Sequence, residues 1–81
     1  MISESEKSFL KTGFKEVLKI IANGNAKKVF IAKDANPAMQ DKLTSEIAKS
    51  PCEVFYIETM KELGALSGIS VGASCAAVIK A

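Results

Sequence analysis

Apolar residues recur at Phe14, Val17, Leu18 and Ile21, the i, i+3, i+4, i+7 spacing of a helix that buries one face. Gly24, after Asn23, predicts its stop. The run "KKVFIAKD" is short, β-branched and aromatic, and predicts a buried strand. In "NPAMQDKLTSEIAKS", Asn36 is the N-cap and Pro37 the first helical residue, with Met39, Leu43 and Ile47 as the inward stripe. "CEVFYIE" predicts a second strand, so residues 28–57 should form a βαβ unit with parallel strands and a right-handed crossover. Thr59 and Glu62 stand in capping-box spacing ahead of a helix expected to turn Met60, Leu63 and Leu66 inward. "ASCAAVIKA" predicts a last strand whose small residues let helices pack close. Nearer the start, Ser3 and Glu6 can open a short first helix, and Leu10 to Thr12 leave room for a brief extended piece before Gly13 turns the chain.

Helices alternating with strands define an α/β fold, a three-layer α/β/α sandwich around a central mixed sheet of about four strands. At 81 residues, with 48% hydrophobic and 25% charged residues and no linker or repeat, the chain is expected to be one globular domain over 1–81. No apolar run approaches the roughly 20 residues of a membrane span. The acids and serines of "MISESEKSFL" are unlike a signal peptide, so a cytoplasmic protein is expected, and a monomer. Cys52 and Cys75 are 23 positions apart in a chain without histidine, which assembles neither a CxxC motif nor a zinc site. Buried thiols are the expectation, and no metal or cofactor.

Charge is spread unevenly along the chain. Residues 1–33 hold seven lysines and three acids, a surplus of +4, whereas residues 34–81 hold four lysines and six acids, a balance of −2. All eleven basic residues are lysine, so an anion meets compact point charges rather than a bidentate fork, which suits phosphates better than base edges.

Without histidine, nucleophilic catalysis of the Ser-His or Cys-His kind lacks its base. Lys33 and Asp34, at the carboxyl end of the first long strand, are the best catalytic candidates, because open α/β sheets place ligands there. The plainer reading is a solvated lysine and an aspartate capping the turn into the helix after "ANP". No phosphate-binding glycine loop is present.

"KTGFKEVLK" offers different chemistry. Gly13 permits a sharp turn and close backbone approach, and the first helical turn then presents free N–H groups, a ready anion site. Lys15, Glu16 and Lys19 fall on the exposed side, although a lysine in the first turn opposes the helix dipole. A bound polyanion would reverse that penalty. A solvated face with a Glu16–Lys19 pair explains the same residues. In "GISVGAS", alternation leaves at least one of Ile69 and Val71 exposed, which suits contact with an unstacked base. Both could instead enter the core as the strand begins.

The stretch Gly13-Phe14-Lys15-Glu16-Val17-Leu18-Lys19, with "VFIAKDANP", "ELG" and "GISVGASCAAVI" in that order, resembles the ribosomal protein L-seven-Ae / L-thirty-e superfamily and its G-x-N-E-x-x-K signature. The likeness covers nearly the whole chain, and its brevity resembles the small Gram-positive members. It implies a non-enzymatic protein that binds kink-turn RNA, or a similar internal loop, in a ribosome or other ribonucleoprotein. By that resemblance Gly13, Phe14, Lys15, Glu16 and Lys19 lie along the part that grips the sheared G·A pairs and flanking phosphates. Lys33 and Asp34 border this surface, and Ile69, Ser70 and Val71 pack on a flipped-out nucleotide. Lys15 stands where the signature has asparagine. An amide donates and accepts, whereas lysine only donates, so Lys15 suits a phosphate or a guanine acceptor. Two further readings stay open: a small-ligand or catalytic α/β domain using Lys33 and Asp34, and a protein-interaction scaffold in a ribosome or ribonucleoprotein.

Overall fold

The computed structural model describes residues 9–69 and 71–80. Along them run β1 (Leu10–Thr12), α1 (Phe14–Ala22), β2 (Ala26–Ala32), α2 (Pro37–Lys49), β3 (Glu53–Ile57), α3 (Met60–Leu66) and β4 (Cys75–Ile79). The short helix expected at Ser3 and Glu6 lies outside the described residues.

The strands are ordered β1-β4-β2-β3. β2 and β3 are parallel, from Lys28 opposite Glu53 to Ala32 opposite Ile57, as the βαβ reading requires. β4 runs antiparallel to both β1 and β2, which makes the sheet mixed. One consequence governs the rest of the molecule. β1, β2 and β3 all point the same way, so their carboxyl ends and the amino end of β4 share one edge of the sheet. Each helix starts directly after one of those carboxyl ends, so all three helix N-termini gather at that pole.

β2 is buried on both faces, which is why its sequence is a continuous apolar run rather than an alternating one. Val29 and Ile31 pack with Val17, Ile20 and Ile21 of α1 and Leu43 of α2. Phe30 and Ala32 face the other way, toward Leu63 of α3, and Phe30 stacks on Phe55 with ring centroids 5.3 Å apart. Between the layers, Ala76 and Ala77 of β4 are fully buried and small enough to let helices approach. The helix faces follow the sequence periodicity for α1, with Val17 and Ile21 fully buried and Phe14 and Leu18 half-buried. In α2, Leu43 is buried and Met39 and Ile47 are half-buried.

α3 departs from expectation. Leu63 and Gly64 face inward, but Met60 and Leu66 are each 37% exposed. A helix of seven residues crosses the sheet with little more than one turn over the core, so Met60 begins it at the rim and Leu66 ends it on the flank. The cysteines are both free, Cys75 buried and Cys52 only half-buried just before β3. Burial raises both thiols above the ordinary value of 9.0, with Lys80 drawing Cys52 partly back and a Ser74 hydrogen bond doing so for Cys75.

Candidate nucleic-acid interface

The three helix N-termini at the shared pole differ in how their first amides are satisfied. At α2 the Asn36 Oδ1 accepts from Ala38 N at 2.8 Å. At α3 the Thr59 Oγ1 accepts from Glu62 N at 3.0 Å, and Asp34 Oδ1 accepts from Met60 N at 2.8 Å. α1 has Gly13 as its N-cap, and among the described residues no side chain caps it. Gly13 sits at φ 101° and ψ 131°, a conformation that side chains resist, yet a Cβ there would meet nothing within 4 Å. The glycine is required by the turn, not by crowding, and among the described residues nothing covers the backbone above it.

Lys15, Glu16 and Lys19 are exposed beside this uncapped turn. Among the described residues they form no ion pair, so the Glu16–Lys19 pair of the plainer reading is not made. Uncapped amides, the positive end of the dipole and two lysines one turn apart all favour an anion. Phe14, by contrast, is half-buried and packs against the core. It anchors the helix rather than extending the surface.

Lys33 and Asp34 do lie at the same pole, but each has other work. Lys33 Nζ pairs with Glu58 Oε1 at 2.9 Å, both side chains largely exposed. Asp34 does not cap the turn into α2, as the sequence suggested, while Asn36 caps that helix as expected. Parallel pairing of β2 with β3 brings Asp34 beside the start of α3, where it takes the first helical amide. Gln40 of α2 completes this corner by donating to the carbonyls of Lys33 at 3.2 Å and Ala35 at 2.8 Å.

The loop between α3 and β4 keeps both of its β-branched residues outside: Ile69 is 37% and Val71 69% exposed. Ala73 is the residue that enters the core. Ser70 lies outside the described residues. Two backbone bonds tie the loop to α3, Ile69 N to Gly64 O and Ala73 N to Met60 O, each 3.0 Å. Gly64 closes the "ELG" stretch of the family likeness, but the sequence assigned it no role of its own.

A groove of about 710 Å³ between α1 and α2 is flanked by charges of both signs, Lys15, Lys19, Lys42, Glu16, Asp41 and Glu46, and neither Lys33 nor Asp34 lines it. Among the described residues no cluster of histidine, cysteine and carboxylate side chains could hold a metal ion, and no helix is long and apolar enough to cross a membrane.

The sequence model of the ribosomal protein L7Ae/L30e/S12e/Gadd45 family matches residues 2–81. An RNA-binding protein of Caldanaerobacter subterraneus subsp. tengcongensis is 42% identical over 65 residues, covering 80% of this chain and 79% of the relative. Large ribosomal subunit protein eL8 of Halobacterium salinarum is 40% identical over 73 residues, 89% of this chain but 61% of that protein's length. The solved structure of a 15.5 kD RNA-binding protein of Giardia lamblia superposes with a TM-score of 0.83 at 28% identity, over 91% of this chain and 62% of that one. With the three-layer fold and a family match over nearly its whole length, the chain belongs to the ribosomal protein L7Ae/L30e/S12e/Gadd45 family.

Proposed function

We propose that this chain is a non-enzymatic, cytoplasmic and monomeric RNA-binding domain that grips a kinked internal loop of the kink-turn type, alone or within a ribosome or other ribonucleoprotein. The observation that carries the reading is the coincidence, at one pole, of an uncapped, lysine-flanked helix start and a loop with two exposed β-branched side chains. The first suits the phosphates and base edges of a sharply bent backbone; the second suits a base that has left the stack. The names of the Caldanaerobacter and Giardia relatives point the same way. In this reading Gly13, Lys15, Glu16 and Lys19 meet the kink, Lys33 and Asp34 border it, and Ile69, Ser70 and Val71 meet the extruded nucleotide. Phe14 acts from behind. An RNA that samples its bent form part of the time is trapped in it, because only that form fits.

The engagement of Lys33 with Glu58 and of Asp34 with α3 argues against the pair as reacting groups. A gel shift with a kink-turn RNA beside the same RNA with its G·A pairs replaced tests the proposal. A shift with the first RNA alone is expected, and equal shifts with both would overturn it.

A further inference from the structure

Beside Gly64, the backbone of α3 faces the backbone of the loop. A Cβ placed on Gly64 would overlap the carbonyl oxygen of Val71 and stand 3.1 Å from the Cα of Gly72. No side-chain rotation can relieve a clash with backbone. From the other side, a Cβ on Gly72 would lie 3.3 Å from Met60 Cβ and 3.4 Å from the Met60 carbonyl carbon and oxygen, tight but less so. Helix propensity favours alanine over glycine at an interior position, so the local sequence of α3 gives no reason for glycine at 64. The reason is the loop. Met60, against which Gly72 rests, is itself fixed at both ends of its peptide, its N–H by Asp34 and its carbonyl by Ala73 N.

Resting on the RNA reading above, we infer that Gly64 is the positioning residue for nucleotide recognition: its lack of a side chain sets the height at which Ile69 and Val71 stand over the extruded base. With the loop seated directly on the helix, both side chains are held outward before RNA arrives, so less ordering is needed on binding. A methyl group at 64 lifts the segment from Val71 to Gly72 and tilts that platform. The lysine-lined start of α1 is built from another part of the chain and is untouched.

The test uses the whole chain in wild-type, Gly64→Ala, Gly72→Ala and Ala65→Gly forms, the last weakening the same helix by propensity while leaving Gly64 and Gly72 as they are. Each is titrated against a kink-turn RNA with its extruded nucleotide intact or abasic, and against the G·A-replaced RNA. Amide spectra of the free proteins are recorded in parallel. Wild type should lose roughly tenfold on the abasic RNA, within the range for one stacked base. Gly64→Ala should bind intact RNA about tenfold more weakly and lose almost nothing more on the abasic one, the signature of a coupled pair in a double-mutant cycle. Its Ile69 and Ala73 amides should shift. Gly72→Ala should fall between, and Ala65→Gly should keep the wild-type ratio. A Gly64→Ala protein with the wild-type ratio and unshifted loop amides overturns the inference while leaving the RNA reading intact. Should Gly64→Ala not fold, Gly72→Ala decides, and a wild-type ratio there overturns it. Wild type that binds all three RNAs equally removes the RNA reading and this inference with it.

Discussion

Asp34 holds the first amide of α3 from 26 residues away, so its side chain joins two elements that the chain reaches at different times. Replacing it with alanine removes an N-terminal cap and should lower unfolding free energy by ~1 kcal/mol in a denaturant titration. Asp34→Asn keeps an acceptor oxygen and should cost less. Lys33→Ala should leave stability nearly unchanged, because an exposed pair with Glu58 contributes little. Cys75 tests burial in another way. Its thiol is raised above 9.0 by desolvation, so the unfolded chain ionises first as pH climbs and binds fewer protons than the folded one. The stabilisation is therefore fully present below pH 9.0 and is lost as pH rises through the folded value. Melting temperature should fall above that point in wild type, and more shallowly in Cys75→Ala.

At the scale of the element, α1 carries its function on one side and its fold on the other. Val17 and Ile21 are fully buried while Lys15, Glu16 and Lys19 face solvent, so the exposed set can be changed without touching the core. Lys15→Ala and Lys19→Ala should each weaken binding of kinked RNA. Each should also flatten the plot of log affinity against log salt by about one ion, as expected when a phosphate contact and its released counterion are lost. Lys15→Ala should slightly stabilise the free protein, since it removes a cation from the positive end of the dipole. Glu16→Gln should act on selectivity instead. A carboxylate among phosphates is repulsive unless it accepts from a base, so its loss should narrow the gap between kinked and plain duplex RNA by roughly 1–3 kcal/mol. Equal discrimination by that variant would leave Glu16 a favourable charge at the helix start and nothing more.

At the scale of the molecule, topology decides where binding happens. Because β1, β2 and β3 run the same way, Gly13, Lys33, Asp34 and the loop ahead of β4 share a pole, and the chain beyond Ile79 leaves from the other. The surplus of lysine in residues 1–33 is therefore not one patch. Lys80→Ala, at the opposite pole, removes the same unit of charge as Lys15→Ala, yet affinity for kinked RNA should stay within about twofold. Equal losses from the two variants would mean that net charge, and not this pole, attracts the RNA.

Much of the architecture was legible because it rests on local rules. Periodicity showed which side of α1 is buried, Asn36-Pro37 and Thr59 marked two helix starts, and a β-branched run marked β2; each depends on residues within a turn or two of one another. The lysines beside Gly13 were legible for the same reason, as a helix start with no capping side chain. Other features needed partners distant in the chain. The sequence allowed Ile69 and Val71 to be inside or outside, and contact of the loop with α3 decided for outside. It suggested that Asp34 caps the turn into the helix after it, whereas parallel strand pairing handed that side chain to α3. It turned Met60 and Leu66 inward by spacing alone, but a helix this short lies over the core only at Leu63 and Gly64. Gly64 stood in the sequence only as the end of "ELG", with no role attached, since only packing reveals the Val71 carbonyl that its missing side chain makes room for.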